Sequence, residues 1–363
     1  MKLVVLGLSL SSSWGNGHAT TFRALLKAFG ARGHDVLFLE RDTPWYAAHR
    51  DPVDPAWPRL EFYPDLEGLN RWRPEIEQAD AVIVGSYVPD GVEVGSRVQQ
   101  WARGVTGFYD IDTPVTLAKL RRGEVEYLSP DLIPGYDVYF SFTGGPTLDR
   151  LEQAYGSPAA RALYCSVDPD LYAPGEPGIR WDLSYLGTYS PDRQPTLERL
   201  LLDPARHAPE LRFVVGGAQY PDDIDWPENV ERFQHVGPHD HALFYNSSRW
   251  TLNVTRADMI EAGWSPSVRL FEAGATATPV ISDAWDGLDA LFRPDAEIVI
   301  ASDPEGVLTR LRAVDGEADR IGAAARARVL AEHTNAHRAA QLERDLLAAA
   351  QASSKKKLGS ASL

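Results

Sequence analysis

One cysteine, Cys165, is all that the chain contains. A lone thiol excludes an internal disulfide framework and a thiolate metal cluster. Basic charge is short as well: 36 Lys and Arg stand against 51 Asp and Glu, a formal net charge of −15. Nucleic-acid binding needs a basic footprint, so it is excluded as the main role. A phosphate-bearing ligand would have to be held by local donors against an unfavourable overall field. No apolar run approaches the roughly 20 residues of a membrane span. Met1-Lys2-Leu3-Val4-Val5-Leu6-Gly7 is too short for the apolar core of a signal peptide and reads as a first buried strand, so a cytoplasmic location is expected. No histidine–carboxylate spacing marks a fixed transition metal, and His239 and His241 in "GPHDH" read as loop residues.

What the chain does have is length and alternation. At 363 residues it exceeds what one hydrophobic core usually organises, so two domains are expected. Apolar runs at 2–9, 36–40, 79–87 and 136–145 read as strands, 79–87 being the third, and 104–114 as a strand running into a loop. Helices are expected over 20–31, 91–103 and 146–154. A stretch rich in Pro, Asp and Gly follows at 165–178, as in interdomain linkers. Strands are then expected at 182–190, 211–219, 249–256, 278–283 and 296–301, with helices at 195–202, 241–248 and 265–276. Strands alternating with helices imply parallel sheets covered on both faces. The fold class is therefore α/β, with two Rossmann-like doubly wound domains facing a cleft. The expected division is a first domain over 1–165, a hinge linker over 166–178 and a second domain over 179–335. A closing helix over 336–350 and a disordered tail over 351–363 complete it.

Ligands of open α/β sheets sit at the carboxyl ends of the strands, so the loops just after strands hold the candidate residues. In "GWSPSVRLFEAG" Ser265 suits an N-cap and Pro266 the first helical position, which leaves the N–H groups of Ser267 and Val268 free at the helix mouth. Such a mouth attracts phosphate oxygens. Arg269 can add a charge-assisted bond, and Glu272, three residues on, can accept from vicinal ribose hydroxyls. The competing reading makes Arg269 and Glu272 a surface pair.

The order of parts resembles a known family. A helix, a glycine turn, "TPVISD" and then "AWDGLDALF" resemble the nucleotide-sugar half of retaining GT-B glycosyltransferases, and "LYCSVDPDLYAP" resembles that family's hinge. "YDIDTPVTL", "YLGTYSPDRQPTLERLL", "TLNVTRADM" and "GWSPSVRLFEAG" together are similar to the CgeB-like branch, the spore-maturation-type glycosyltransferases. The resemblance spans nearly all of residues 1–345. It implies transfer of a sugar from a nucleoside-diphosphate sugar, with retention and with neither a cofactor nor a fixed metal. The acceptor it leaves open: a glycan, a surface polymer, a protein or a small metabolite.

Carried over residue by residue, the resemblance makes Glu272 the ribose-binding glutamate and Gly187 a glycine that admits the sugar donor's phosphates. Arg193, Arg256, Ser267, Val268 and Arg269 become diphosphate ligands, and Gly15 and Gly17 the loop facing those phosphates. The chain departs from the pattern at Trp264, where many retaining members carry a second glutamate. His18 either bonds a phosphate and shuttles a proton, or caps and packs. Asp110 and Asp112 in "FYDIDTP" either orient an acceptor hydroxyl or bind a cation, or else build a turn before Pro114. Three rival functions remain. One is a catalytically idle nucleotide-sugar binding or assembly protein. The second is a sugar-nucleotide epimerase or hydrolase. The third, more remote, is an NAD-dependent dehydrogenase with Glu40 as its ribose acid; here Thr20 stands where the third fingerprint glycine belongs.

Overall fold

The computed structural model describes the chain except residues 15–16, 52–57, 314–315 and 361–363, and gives only the backbone of 355–360. The expected phosphate-facing Gly15 thus lies outside the described residues. The chain divides into two compact units: Met1–Cys165 with Asn335–Leu363, and Ser166–Thr334.

The first unit is built on seven strands: β1 (Lys2–Gly7), β2 (Asp35–Arg41), β3 (Arg59–Tyr63), β4 (Ala81–Gly85), β5 (Val105–Asp110), β6 (Val138–Ser141) and β7 (Ala160–Ala162). Their order is β3-β2-β1-β4-β5-β6-β7, and every pairing is parallel. β1 and β4 read "KLVVLG" and "AVIVG" because both of their faces are covered. Val4, Leu6, Val82, Val84 and Phe108 enter one buried cluster with the helix Gly91–Trp101. The helix His18–Ala31 buries Phe22, Leu25, Leu26 and Phe29, and the C-terminal helix Asn335–Ser360 packs against it.

The second unit repeats the plan with six strands: β8 (Trp181–Leu186), β9 (Phe213–Gly216), β10 (Val230–Phe233), β11 (Ser248–Asn253), β12 (Val280–Ser282) and β13 (Val299–Ile300). Their order is β10-β9-β8-β11-β12-β13, again all parallel. In each sheet the strand order reverses beside the unit's first strand, between β1 and β4 and between β8 and β11. Those reversals are where open α/β sheets offer a crevice.

Several expectations need correction. The run at 79–87 forms the fourth strand, because β3, "RLEFY", precedes it at the edge of the sheet. β3, β7 and β10 are strands beyond those expected; each is short and carries charge, which suits an edge and hides the apolar pattern. The loop expected after Asp110 is the helix Thr113–Arg121, with Pro114 in its first turn, where its missing N–H costs nothing. Residues 166–178 are no free connector: they belong to the second unit, where Asn246 Nδ2 donates to Ala173 O at 2.9 Å and accepts from Gly175 N at 3.1 Å through Oδ1. In place of a disordered tail, the last helix runs on to Ser360, since Ala, Gln, Lys and Leu all favour it, and Ser353 bonds Asp137. Among the described residues no helix is long and apolar enough to cross a membrane.

Candidate functional site

The crevice between β8 and β11 is bridged by one side chain. Arg269, on the helix Val268–Ala275, donates through Nη2 to Leu186 O at the end of β8 and through Nη1 to Asn253 Oδ1 at the end of β11, 3.2 Å away. Nη1 also reaches Ser267 Oγ at 3.3 Å, and the guanidinium lies over the Tyr185 ring, 5.1 Å from its centroid. Gly187 makes this possible. A Cβ there would stand 2.6 Å from the Tyr185 hydroxyl and 3.1 Å from Arg269 Nη2. The expected close approach at Gly187 is therefore already made, by Arg269.

Two more guanidinium groups line the same loops. Arg193 donates to Thr188 O. Arg256 occupies the N-cap position of the helix Ala257–Ala262, whose Ala257 N–H is bonded by Asp192 at 2.9 Å. Among the described residues, the Nε atoms of Arg193, Arg256 and Arg269 are all buried without a hydrogen-bond partner. Each such unmet donor costs about 1–3 kcal/mol, so three beside one crevice call for an anion.

The helix begins later than expected. Ser267 is the N-cap, and its Oγ accepts from Arg269 N at 3.4 Å. Ser265 is fully buried and donates to Gly263 O at 3.0 Å. Preceding a proline, Ser265 is disfavoured in the helical region. Trp264 ahead of it is held at φ +50° with its N–H on Asp286 O at 2.6 Å, a left-handed conformation that is rare for a bulky residue. The N–H groups of Ser267 and Val268 carry no hydrogen bond among the described residues, so the helix mouth is open as the motif implies.

Glu272 and Arg269 are no surface pair: they are 3% and 9% exposed and face different partners. The Glu272 carboxylate accepts from the Tyr172 hydroxyl at 2.9 Å and from the Tyr245 hydroxyl at 3.2 Å, with His241 Nδ1 3.8 Å away. Burial works against its ionisation, but the His241 imidazole, the Tyr172 hydroxyl and the Arg269 charge outweigh it and hold the carboxyl below its usual range. An ionised, acceptor-only carboxylate can take hydroxyl protons, as a ribose diol requires. Reading the motifs missed Tyr172, Tyr245 and His241, since they lie 100, 27 and 31 residues from Glu272 and no local pattern ties them to it.

The first-unit candidates fare differently. Gly17 is the N-cap of the helix His18–Ala31, and a Cβ on it would meet nothing within 4 Å, so space above it is open. His18 is buried edge-on to Tyr87, ring centroids 5.4 Å apart, and burial lowers its pKa to about 4. Asp110 is fully buried. It accepts from Tyr139 at 2.6 Å, Thr116 at 2.8 Å and Asp112 N at 3.2 Å, which is the turn-building alternative. These bonds engage both Asp110 oxygens inside the unit's own core and favour the turn-building alternative over an acceptor-orienting one. Asp112 is partly exposed and accepts from the Tyr87 hydroxyl at 2.9 Å. Glu40 accepts from Leu10 N at 2.7 Å, Ser11 N at 2.9 Å and Ser11 Oγ at 2.6 Å. It ties down the loop after β1 and is 1% exposed, so it is no counterpart of a dehydrogenase's ribose acid. Among the described residues no group of three His, Cys, Asp or Glu could hold a metal ion.

Asp110 and His18 give opposite pH dependences. Burial raises Asp110 from 3.8 to about 6, so its folded form binds the proton more tightly and stability falls as pH rises through that range. His18, lowered from 6.5 to about 4, costs stability as pH drops through that interval. Each effect reaches up to about 3 kcal/mol. Left with the His18 effect alone, Asp110→Asn should lose urea resistance as pH falls from 6.5 to about 4, and His18→Gln, left with the Asp110 effect alone, should lose it as pH rises from 3.8 to about 6. Urea midpoints measured against pH check both slopes.

A family described as glycosyl transferase-like matches residues 193–344, the stretch that contains Arg193, Arg256, Arg269 and Glu272. The fold is similar to that of sucrose-phosphate synthase from Thermosynechococcus elongatus, with a TM-score of 0.66 and 17% identity over 96% of this chain and 100% of that one. It is also similar to Anabaena HepE in complex with UDP and glucose, with a TM-score of 0.68 and 11% identity over 96% and 100% of the two chains. A glycosyltransferase from Rickettsia africae gives 0.67 and 10% over 96% and 98%. The fold is the two-unit α/β plan of GT-B glycosyltransferase structures. At these identities the structural likeness establishes the fold alone. No curated protein matches the sequence. Residues 193–334 of the matched stretch lie in the second unit, together with the arginine-lined crevice.

Proposed function

We propose that this glycosyltransferase moves a sugar from a nucleoside-diphosphate sugar to an acceptor and retains the anomeric configuration, as the spore-maturation-type branch would, in the cytoplasm. The observation that carries the reading is the set of three unmet guanidinium donors, Arg193, Arg256 and Arg269, around the β8–β11 crevice. They supply local positive charge in a chain of net charge −15, as a diphosphate requires. The Ser267 and Val268 N–H groups add the helix mouth, and Glu272 takes the ribose hydroxyls. As the glycosidic bond to the diphosphate breaks, negative charge grows on the leaving oxygen and positive character on the anomeric carbon. Donors already fixed in a partly buried crevice stabilise that charge without reorganising, which is where most of the rate would arise. His18 is neutral, because burial lowers its pKa to about 4, and serves as a proton acceptor in this reading.

Support for a nucleotide-sugar ligand also comes from HepE, which has been solved in complex with UDP-glucose. The test is a thermal-shift screen of UDP, GDP and ADP, followed by nucleotide release from the matching sugar nucleotide with and without acceptor. Stabilisation by one nucleotide and acceptor-dependent release are expected. Stabilisation without release would favour the idle binding protein, and release without an acceptor would favour the hydrolase. Glu272→Ala should weaken nucleotide binding by at least about tenfold, the equivalent of one lost hydroxyl contact of ~1.4 kcal/mol. Unchanged affinity and turnover in that variant, by calorimetry and release assay, would remove Glu272 from the site.

A further inference from the structure

One tyrosine hydroxyl in the second unit stands between two acceptors that compete for its single proton. Tyr172 Oη is 2.9 Å from Glu272 Oε1 and 3.2 Å from His241 Nδ1. The other ring nitrogen fixes which neutral form the imidazole takes. His241 Nε2 lies 3.3 Å from Val236 O, which can only accept, so Nε2 carries the proton and Nδ1 of the neutral ring is an acceptor. We propose that His241 is a positioning residue whose protonation sets how much of the Glu272 carboxylate is left for the ribose hydroxyls, so that the grip on the ribose weakens as pH falls. The inference deepens the nucleotide-sugar reading above and rests on it.

With the ring neutral, Tyr172 can turn its proton to Nδ1, and of its two hydroxyl contacts Glu272 then keeps that from Tyr245 at 3.2 Å. An ionised carboxylate accepts at about four positions, and one more of them is thereby free for a ligand. With the ring protonated, Nδ1–H is a donor. It donates to Tyr172 Oη, and the tyrosine proton is committed to Glu272. A chain of donors of this kind polarises itself and tightens. A ribose hydroxyl must then break the chain or do without that acceptor position. Glu272, Tyr172 and Tyr245 are buried, so the contest is decided among these groups rather than by water. His241 is partly exposed at the start of the helix His241–Asn246 and can exchange its proton with solvent. The other charges around the ring act through its partners. Arg269 acts on Glu272 and Tyr245, and Asp168 acts on Tyr172. His235, His239 and Asp240 in the adjoining loop are exposed, where salt screens them.

The experiment is calorimetric titration of the full chain with UDP and with 2′-deoxy-UDP, the GDP and ADP pairs run alongside, at about pH 6 and about pH 8, a span in which imidazoles change charge. Both members of a pair carry the same base and diphosphate, so the ionisation of the phosphates cancels in the ratio of their dissociation constants. That ratio reads the ribose hydroxyl alone. In wild type it should favour the ribonucleotide by roughly tenfold or more at pH 8, as one charge-assisted contact gives, and shrink by about threefold or more at pH 6. His241→Gln keeps a neutral polar side chain and should make the ratio the same at both pH values. Tyr172→Phe removes the shared hydroxyl and should flatten it too, so the test survives if one variant fails to fold; thermal melts establish which are folded. A wild-type ratio that stays level or grows toward pH 6 overturns the proposal, and so does a His241→Gln ratio that falls as wild type does. Failure of every nucleotide to bind would sink the nucleotide-sugar reading and this inference with it. Binding with a level ratio sinks the inference alone, so the two failures are distinguishable.

Discussion

Arg269→Ala is expected to reduce sugar transfer by at least about 100-fold and to abolish stabilisation by the nucleotide. A charge-assisted hydrogen bond is worth about 1.5–3 kcal/mol, and this side chain stands where the diphosphate is assigned with one donor still unmet. The fold should suffer too, because truncation strips Leu186 O and Asn253 Oδ1 of their shared donor. A buried acceptor left bare costs about 1–3 kcal/mol and a partly buried one less, which should lower the melting temperature by roughly 5 °C. Arg269→Lys separates the two effects. It returns the charge as a single point that cannot span β8 and β11 at once, so nucleotide affinity should recover in part and stability less. Calorimetric titration with the nucleotide from the screen, run beside scanning calorimetry, reads both. Wild-type affinity in Arg269→Ala would place the diphosphate elsewhere.

Gly217→Ala is expected to damage the same crevice from behind. A Cβ on Gly217 would lie 2.0 Å from Gly187 O, 2.5 Å from Gly187 C and 3.0 Å from Thr188 N, all of them backbone atoms. No rotamer change relieves such a contact. Gly217 is itself pinned through its N–H to Phe233 O at 2.8 Å, and Gly187 N is held to Gly216 O at 2.8 Å. The loop 187–190 must therefore shift, and with it the carbonyl oxygens of Leu186 and Thr188 that position Arg269 and Arg193. Overpacking of this kind costs about 1–3 kcal/mol or more. The expected result is a lower urea midpoint together with weakened nucleotide binding. A variant with wild-type midpoint and affinity would show that the close approach of these two loops has no bearing on the site.

The local pattern carried the architecture well. "KLVVLG" and "AVIVG" are apolar at every position because central parallel strands are covered on both faces, and that needs no knowledge of partners. "RLEFY" and "VERF" hid their strands for the converse reason, since an edge tolerates alternating charge. Around the crevice, Arg269 and Glu272 stood out through motif order. The start of their helix was misplaced by two residues because Ser265 is as good a cap by type as Ser267. Trp264 shows why: its left-handed backbone is bonded to Asp286, 22 residues on, and no rule of adjacent residues foretells that bond.

By itself, the order of residues determined two doubly wound units and named the segment that would meet an anion, because apolar runs, caps and turns act over a few positions. Tertiary structure decided which polar groups were left available. Asp110 is enclosed by Tyr139 and Thr116, and Glu40 by the loop after β1, while the Nε atoms of Arg193, Arg256 and Arg269 have no partner among the described residues. The physical reason is that a charge is silenced or freed by neighbours dozens of residues away, and only the folded chain brings those neighbours together.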